Sequence, residues 1–384
     1  MSATGKQHIM IVAGEASGDM QAAHLIEEIR KLDSNIEFSG LGGPAMKAQG
    51  VVIYEDLTRI AVVGFIEVVK HYREFKKVFN LFLQKAKEIR PAAVILVDYP
   101  GFNLRLAKKL KESGIKVIYY ISPQVWAWKE SRVAAVKKFT DKMLVLFQFE
   151  SHFYARHNLK VHFVGHPLID LISSQVGNNR EKQQSFSFAP SAAKPLTIGV
   201  LPGSRENEIH TLLPVMLDAA FLLSKDLPAV QFLLLKAPTI SQALLEKFVK
   251  NSPVPVTIVQ KNIYQKIAQC DLCLVASGTA TLEVAILNKP MVIVYKTSFL
   301  TWLLAKLLIK IPFIGLVNVV AGKKIVPECI QFEATGGHIA KELRMMCQNP
   351  AKLAEIKAEL EKVRLSLGEP GAGERAAREI LKTI

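Results

Sequence analysis

The stretch IMIVAGEASGDMQAAHLIEEI, residues 9–29, decides the fold. A short apolar run ends in a glycine-bracketed polar loop, and an amphipathic helical pattern follows it. A strand that enters a helix through such a turn is typical of the first unit of a nucleotide-binding parallel sheet. Gly14 and Gly18, however, are spaced G-x-x-x-G and not G-x-G-x-x-G, so the dinucleotide fingerprint fails. The loop carries acids instead, Glu15 and Asp19, and Asp19 is expected to cap the helix.

The same alternation of strand-like runs and helical stretches continues along most of the 384 residues. Short apolar runs with intervening helices favour a parallel, doubly wound sheet. Strands are predicted at Ile9–Ala13, Ile36–Ser39, Ala93–Val97, Val117–Ile121, Lys142–Leu146, His162–Val164, Gln231–Leu235, Val256–Val259, Leu272–Ala276 and Pro290–Tyr295. The main helices are predicted at Met20–Leu32, Lys70–Ile89 and Asn103–Glu112.

Composition divides this pattern into two halves. A polar, unpatterned stretch predicts a linker at 176–195 between Rossmann-like domains at 1–175 and 196–345. We therefore expect an α/β fold of two parallel-sheet domains facing a cleft, the default ligand site. Helices at 346–384 are expected either to pack back on the first domain or to swap between subunits, and a swap would make the protein an oligomer.

The net charge indicates which class of partner the protein binds, and the cysteine content indicates its redox compartment. The net charge of +15 and the isoelectric point near 9.5 favour an anionic partner. No arginine-rich block, zinc-finger spacing or aromatic RNA-binding motif occurs, so lipid and phosphate are favoured over nucleic acid. The sparse cysteines suit a reducing cytosol, and the C-x-x-C pair has no second pair to make a metal site. They are Cys270, Cys273, Cys329 and Cys347.

The sequence predicts neither a signal peptide nor a membrane-spanning helix. The first residues lack a long apolar run, and no uncharged run reaches roughly 18–20 residues. Residues 298–322 come nearest, but Lys306, Lys310 and Pro312 interrupt them, which indicates a helix that is buried or lies on a membrane surface. Residues 62–90 mix apolar and basic side chains, as a membrane-surface helix does, although an ordinary amphipathic helix fits equally.

Two strand-to-helix loops in the second half suit an anion. In LPGSRENE, Pro202 and Gly203 predict a sharp turn, Ser204 a helix cap, and Arg205 a cation beside a helix N-terminus. The functional interpretation is a diphosphate contact, and the alternative is a capping turn with a solvated arginine.

The second loop is LVASGTATLEVA, residues 274–285. Small residues at Ser277, Gly278 and Thr279 allow backbone amides to approach a phosphate closely, and Glu283 lies near enough to bind a ribose diol. A tight strand–helix turn whose acid favours the helix dipole remains the alternative.

The first half offers groups for catalysis and acceptor binding. Asp98 follows a buried strand, where the cleft of an open parallel sheet lies, and it is a candidate general base with a raised pKa; a loop-capping role is the alternative. Trp126, Trp128 and Arg132 follow the next strand, and the tryptophans suit either core packing or sugar and acyl contact. No spacing of the nine histidines predicts a metal site.

Taken together, these motifs resemble the lipid-A-disaccharide synthases. The matching pieces are AGEASGD, GFIEVV, DYPGFN, SPQVWAW, VGHPL, LPGSR, ASGTATLE and VNVVAG, which run in order from residue 13 to about residue 331. The resemblance implies the two-domain GT-B fold. It implies an inverting enzyme that joins UDP-2,3-diacylglucosamine to 2,3-diacylglucosamine 1-phosphate (lipid X), giving a β-1,6-linked disaccharide phosphate and UDP. It further implies no metal or cofactor, and work at the cytoplasmic face of the inner membrane of Gram-negative bacteria.

The resemblance also implies roles for single residues. Asp98 matches a family acid and is the expected base. Because the glycine spacing of AGEASGD fails and the second half has the better phosphate loops, we expect that loop on the acceptor side, where Ser17 and Gly18 hold the acceptor phosphate or sugar and Glu15 assists Asp98. Where some members have DAPDFN this chain has DYPGFN, so Gly101 removes the second acid on which a paired-carboxylate role in this motif would depend. On the donor side, the expected contacts are Gly203, Ser204, Arg205, Ser277, Gly278, Thr279, Glu283, Asn318, Glu328 and Gln331.

Two other functions fit parts of this pattern. One is a different GT-B enzyme acting on UDP-GlcNAc, an epimerase or a peptidoglycan glycosyltransferase. The other is a non-catalytic, basic membrane-binding module, in which Lys76 and Lys77 would matter and Asp98 and Arg205 would not.

Overall fold

The computed structural model describes residues 7–60, 72–128, 130–177, 195–227, 229–299, 302–303, 306 and 311–384. The chain divides into two compact units. The first comprises residues 1–167 together with 367–384, and the second comprises residues 168–366.

The first unit is built on a seven-stranded sheet in which every neighbouring pair is parallel. Its strand order is β3-β2-β1-β4-β5-β6-β7. The strands are β1 His8–Ala13, β2 Glu37–Gly42, β3 Val52–Asp56, β4 Ala93–Val97, β5 Val117–Tyr120, β6 Lys142–Val145 and β7 His162–Phe163. The helices preceding residue 167 are α1 Ala16–Leu32, α2 Pro44–Ala48, α3 Leu57–Ile60, α4 Tyr72–Ile89, α5 Pro100–Glu112, α6 Val125–Trp128, α7 Val133–Phe139 and α8 Gln148–Ala155.

The second unit has a six-stranded parallel sheet of order β10-β9-β8-β11-β12-β13. Its strands are β8 Leu196–Leu201, β9 Val230–Leu235, β10 Val256–Val259, β11 Leu272–Ala276, β12 Met291–Tyr295 and β13 Glu328–Ile330. Its helices are α9 Leu168–Val176, α10 Glu206–Asp226, α11 Gln242–Lys250, α12 Ile263–Gln269, α13 Ala280–Ile286, α14 Leu316–Ala321, α15 Gly336–Gln348 and α16 Pro350–Ser366. The last helix of the chain, α17 Ala372–Leu381, belongs to the first unit.

Both sheets therefore have the Rossmann strand order, which reverses beside the first strand of each unit. The predicted α/β architecture of two parallel sheets is confirmed. In this topology ligands bind outside the carboxyl ends of the strands at the reversal, here beside β1 and β4 in one unit and β8 and β11 in the other. Strands β4 and β11 are buried along their whole length, as the apolar sequence runs predicted.

The unit boundaries differ from the predicted domain boundaries. The first domain was expected to run to residue 175, but helix α9 packs on α12 and α13 and so joins the second unit. The helices expected at 346–384 are divided as well: α16 packs on α13, α14 and α15, whereas α17 packs on α1. Most of the predicted linker, 178–194, lies outside the described residues.

Candidate active site

The loop that follows β1 lies directly beside the loop that follows β4, because Ala13 pairs with Val97 across the two strands. The Tyr99 ring covers Gly14 so closely that a β-carbon there would lie 2.4 Å from a ring carbon. Any other residue at position 14 would require the Tyr99 ring to move. This contact is a physical reason for the first glycine of AGEASGD.

The acid at the other end of that motif has a structural role. Asp19 is buried, and its carboxylate accepts backbone N–H groups of Gly43 at 2.8 Å, Ala45 at 2.8 Å and Met46 at 3.2 Å. The prediction that Asp19 caps its own helix is wrong, because Asp19 lies inside the first turn of α1 and caps the start of α2 instead.

Asp98 sits on a strained backbone. Both Asp98 and Tyr99 are left-handed, with φ of 45° each, which is uncommon for residues other than glycine. The Asp98 carbonyl accepts hydrogen bonds from the Asn103 amide at 2.8 Å and from the Tyr119 hydroxyl at 2.5 Å. These two side chains, which the sequence analysis did not single out, hold the turn that aims the Asp98 carboxyl.

The carboxyl of Asp98 is tuned for proton transfer. Burial, and secondarily the negative charge of Glu15, raise the pKa of Asp98 to about 7, against a smaller opposing hydrogen bond from the Tyr99 amide. Since a general base works best when its pKa is near the operating pH, Asp98 is suited to that role. Glu15 itself is exposed, whereas Asp98 is largely buried, so the two acids differ in environment.

The remaining residues predicted for the acceptor side lie around this edge of the sheet. Ser17 is exposed and Gly18 is buried, both in the first turn of α1. Arg132 precedes α7, and its positive charge opposes the burial that raises the pKa of Tyr119. The side chain of Trp128 lies outside the described residues.

The Trp126 side chain is positioned by a buried acid, Glu150. Its indole N–H donates to the Glu150 carboxylate at 3.2 Å, and its ring packs edge-on against Phe149 at 5.0 Å. Glu150 also accepts the Phe147 amide at 3.1 Å. Burial raises the pKa of Glu150 to about 7, so this unpredicted acid is a second group that titrates near neutrality.

In the second unit, the loop after β8 is closed by an acid of its own helix. Gly203 has φ of 120°, and a β-carbon there would meet the Glu208 carboxylate at 2.3 Å. That carboxylate accepts the backbone amides of Ser204 at 2.8 Å and Arg205 at 3.2 Å, and it pairs with the Arg205 guanidinium at 3.2 Å. Arg205 is therefore the N-cap residue of α10, and the expectation that Ser204 caps this helix is wrong.

The backbone amides of Ser204 and Arg205 already donate to Glu208, which affects how this loop could bind a diphosphate. The donors predicted to bind a diphosphate already bind an anion, the Glu208 carboxylate. The Arg205 side chain nevertheless remains 75% exposed. A phosphate at this loop would either share Arg205 with Glu208 or displace the carboxylate.

The loop after β11 lies beside it, since Val275 pairs with Leu201. The Ser277 hydroxyl donates to the Ile314 carbonyl at 3.0 Å, while Gly278 and Thr279 are exposed. A β-carbon at Gly278 would meet nothing within 4 Å, so the loop is open at that point.

Glu283 lies in the first turn of α13, and its carboxyl is largely buried. Burial raises the pKa of its carboxyl to about 7, and a hydrogen bond from Tyr264 opposes that rise. The Tyr264 hydroxyl therefore already donates to the Glu283 carboxyl, as a hydroxyl of a bound ribose would.

Three residues predicted to lie near the donor form internal hydrogen bonds. The Asn318 side chain donates to the Val326 carbonyl and to Glu328, and it accepts the amides of Ile325 and Val326. Because both amide hydrogens and both lone pairs are used, Asn318 has no capacity left for a ligand. Glu328 further accepts the amides of Ile314 and Gly315.

Gln331 likewise uses its side chain for hydrogen bonds to the backbone. Its side-chain amide accepts the Thr297 N–H at 3.1 Å and donates to the Thr297 carbonyl at 3.0 Å. These three buried side chains thus hold together the segments that follow β12 and β13.

Within the described residues, no three His, Cys, Asp or Glu side chains converge as ligands of a metal ion would. No helix in the same ranges combines the length and the apolar character needed to cross a bilayer.

Comparison with known proteins decides the family. The model of the lipid-A-disaccharide synthetase family matches residues 9–382. The chain belongs to the lipid-A-disaccharide synthase family. It is similar to the lipid-A-disaccharide synthase of Geobacter metallireducens, at 40% identity over 100% of this chain and 99% of that protein. The corresponding synthase of Nitrosococcus oceani is 41% identical over 94% of this chain and 92% of its own.

Solved structures place this synthase family member among GT-B proteins. MurG of Acinetobacter baumannii has a TM-score of 0.61 at 16% identity, covering 98% of this chain and 99% of its own. A UDP-GlcNAc 2-epimerase from Neisseria meningitidis bound to UDP-GlcNAc has a TM-score of 0.63 at 13% identity, covering 98% and 100%. At these identities the likeness concerns the fold, and the family match carries the glycosyltransferase activity.

Proposed function

We propose that the protein transfers 2,3-diacylglucosamine from UDP to the 6-hydroxyl of 2,3-diacylglucosamine 1-phosphate. The products are a β-1,6-linked disaccharide 1-phosphate and UDP, with inversion at the donor carbon. The observation that carries this proposal is Asp98, a carboxyl with a pKa of about 7 on a strained turn at the strand reversal of the first unit.

The chemical step follows from that carboxyl. Ionised Asp98 accepts the proton of the acceptor 6-hydroxyl as that oxygen bonds to the anomeric carbon of the donor. The bond from the anomeric carbon to the β-phosphate oxygen breaks, and UDP leaves with both electrons. Glu15 acts through its charge, which makes Asp98 a stronger base. Asn103 and Tyr119 act through the Asp98 carbonyl and are positioning residues.

The donor is assigned to the second unit. Gly203, Ser204 and Arg205 would face the diphosphate, with the exposed Arg205 guanidinium offsetting the charge that develops on departing UDP. The Ser277, Gly278 and Thr279 loop would bind the second phosphate, and Glu283 the ribose. Asn318, Glu328 and Gln331 would position this region through the backbone that they hold.

The acceptor is assigned to the first unit. Ser17 and Gly18 would bind its phosphate or sugar, and Trp126, Trp128 and Arg132 would line its approach. The chemistry assigned to these side chains requires neither a metal nor a cofactor. The acyl chains of both substrates and the net charge of +15 support work on the anionic inner face of the inner membrane.

Product analysis with the purified protein tests this function. Both diacyl substrates, dispersed in detergent, should give UDP and disaccharide in equal amounts. The matched variant Asp98→Asn should retain UDP binding and lose most turnover. Turnover of plain UDP-GlcNAc without disaccharide formation would favour an epimerase or another GT-B transferase instead.

A further inference from the structure

An exposed apolar surface lies at the carboxyl edge of the second sheet. Phe299 is 60% exposed, Leu303 40% and Phe332 68%. The first two follow β12 in sequence, and Phe332 follows β13. Contiguous exposed apolar groups of this kind usually mark an interaction site.

The fold brings these distant positions together. The Gln331 side chain pairs with both backbone groups of Thr297, which ties the chain after β13 to the chain after β12. The Trp302 ring then contacts Phe332 edge-on at 5.3 Å and Phe299 at 5.8 Å. The aromatic cluster is therefore built from two segments that a buried polar contact holds in register.

Basic side chains accompany the aromatic ones. The Lys306 ammonium lies over the Trp302 ring, 5.2 Å from its centre, and Lys296 is exposed at the end of β12. Glu333, next to Phe332, is an exposed acid on the same stretch. Exposed aromatic rings with lysines beside them are typical of surfaces that sit at the boundary between anionic headgroups and acyl chains.

The other segment predicted for a membrane role has its apolar side chains engaged where they are described. In helix α4, Val78, Phe82 and Ala86 are buried in the first unit's core, and Phe75 and Phe79 pack against it. Across residues 72–89 the helix is therefore an ordinary amphipathic one; residues 62–71 lie outside the described ranges.

We infer that Phe299, Trp302, Leu303, Lys306 and Phe332, here named the Trp302 surface, dock on an anionic phospholipid bilayer. The inference rests on the proposed function, which requires substrates held in a membrane. A bilayer fits better than the acyl chains of a bound donor, because a neutral hydrocarbon chain gains nothing from the lysines. The aromatic side chains would enter the boundary region while Lys306 and Lys296 meet the headgroups.

Vesicle binding tests this surface. The full-length protein is sedimented with phosphatidylethanolamine vesicles that contain or lack phosphatidylglycerol. The double variant Phe299→Gln/Phe332→Gln should bind the anionic vesicles at least about tenfold more weakly, because two apolar anchors are lost. Leu365→Gln is the matched control, since Leu365 is 54% exposed elsewhere in the second unit, and it should bind like the parent protein.

Fluorescence adds a direct readout of contact. Trp302 is one of three tryptophans, so in a Trp126→Phe/Trp128→Phe background it alone reports. Phospholipids brominated on their acyl chains should quench it in anionic vesicles. Unchanged binding of the double variant, or Trp302 emission that brominated lipid does not alter, would overturn the inference.

Activity on detergent-dispersed substrates separates this inference from the proposed function. The double variant should keep its rate there, because no bilayer is present. If its KM for the donor rises while vesicle binding is unchanged, the surface binds acyl chains and the docking inference is wrong. If the parent protein binds vesicles but forms no disaccharide in detergent, the proposed function fails and the docking inference stands.

Discussion

At the residue scale, the candidate site depends on how single carboxylates are placed. Asp19, Asp98 and Glu208 all follow strand ends, yet each has a different function. Asp19 caps a neighbouring helix, Glu208 occupies the amides of its own loop, and burial raises the pKa of Asp98 to about 7. The difference follows from burial and partners rather than from residue type.

Glu15 should tune Asp98 through charge. In Glu15→Gln a negative neighbour disappears, so the pKa of Asp98 falls and its ionised form persists to lower pH. The acid limb of the turnover profile, expected near pH 7 in the parent protein, should shift to lower pH. The same variant should also lower maximal turnover while UDP affinity stays the same, which isothermal titration measures. Collapse of UDP affinity would assign the Glu15 loop to the donor.

Glu208 should compete with the donor diphosphate for Arg205. Glu208→Gln keeps an oxygen for the Ser204 and Arg205 amides but removes the charge paired with the guanidinium. UDP should then bind up to about fivefold more tightly, as expected for release of an exposed ion pair. Arg205→Ala, the comparison variant, should bind UDP more weakly. Weaker binding in both variants would mean that Glu208 positions Arg205 instead of competing for it.

At the scale of elements, buried polar side chains rather than strand pairing hold the described residues 311–327, which precede β13. Asn318 and Glu328 together satisfy the amides of Ile314, Gly315, Ile325 and Val326. The donor loop depends on this segment too, since the Ser277 hydroxyl donates to the Ile314 carbonyl.

Asn318→Asp should therefore destabilise the second unit. A carboxylate there would face the Glu328 carboxylate and the Val326 carbonyl, both of which now accept from the amide nitrogen. We expect a loss of about 3–5 kcal/mol in the free energy of unfolding, as for an uncompensated buried charge. Asn349→Asp is the control, because this exposed side chain caps α16 and an aspartate can do the same. Equal melting temperatures for the two variants would contradict the assignment.

Some elements of the fold can be predicted from the sequence, and others cannot. Strands such as β1 and β4 were predicted because a buried parallel strand is a continuous apolar run. The edge strands β3 and β13 were missed, since one is polar and partly exposed and the other has only three residues. Glu208 was within reach, because an acid three residues after an N-cap is a capping-box pattern. The saturated hydrogen bonds of Asn318 were not, because its partners depend on the tertiary fold.

At the scale of the whole molecule, the chain begins and ends in the same unit. Helix α17 buries Ala372, Ala376 and Ile380, and the Arg375 guanidinium donates to the Val164 carbonyl at 2.8 Å. Gly373 allows α17 to approach α1, since a β-carbon would lie 2.8 Å from the His24 ring. The sequence is compatible both with C-terminal helices that pack back on the first domain and with helices that swap between subunits. Within one chain, residues 367–384 lie with the first unit.

Removal of residues 367–384 should consequently weaken the first unit alone. The truncation exposes the apolar face of α1 that α17 covers. Hydrogen–deuterium exchange should accelerate in α1 and β7 and stay unchanged in α15 and β11. Uniform acceleration in both units would show that α17 stabilises the protein in some other way.

The most direct test of the central claim is the pH dependence of disaccharide formation with and without the Asp98 carboxyl. In the parent protein, the initial rate of UDP release from both diacyl substrates should rise with pH and level off above about pH 7, because the base must be ionised. Asp98→Asn should fall by about 10²–10⁴-fold and lose this pH dependence while binding UDP normally. A variant that keeps the parent rate, or the same acid limb, would show that Asp98 is not the base.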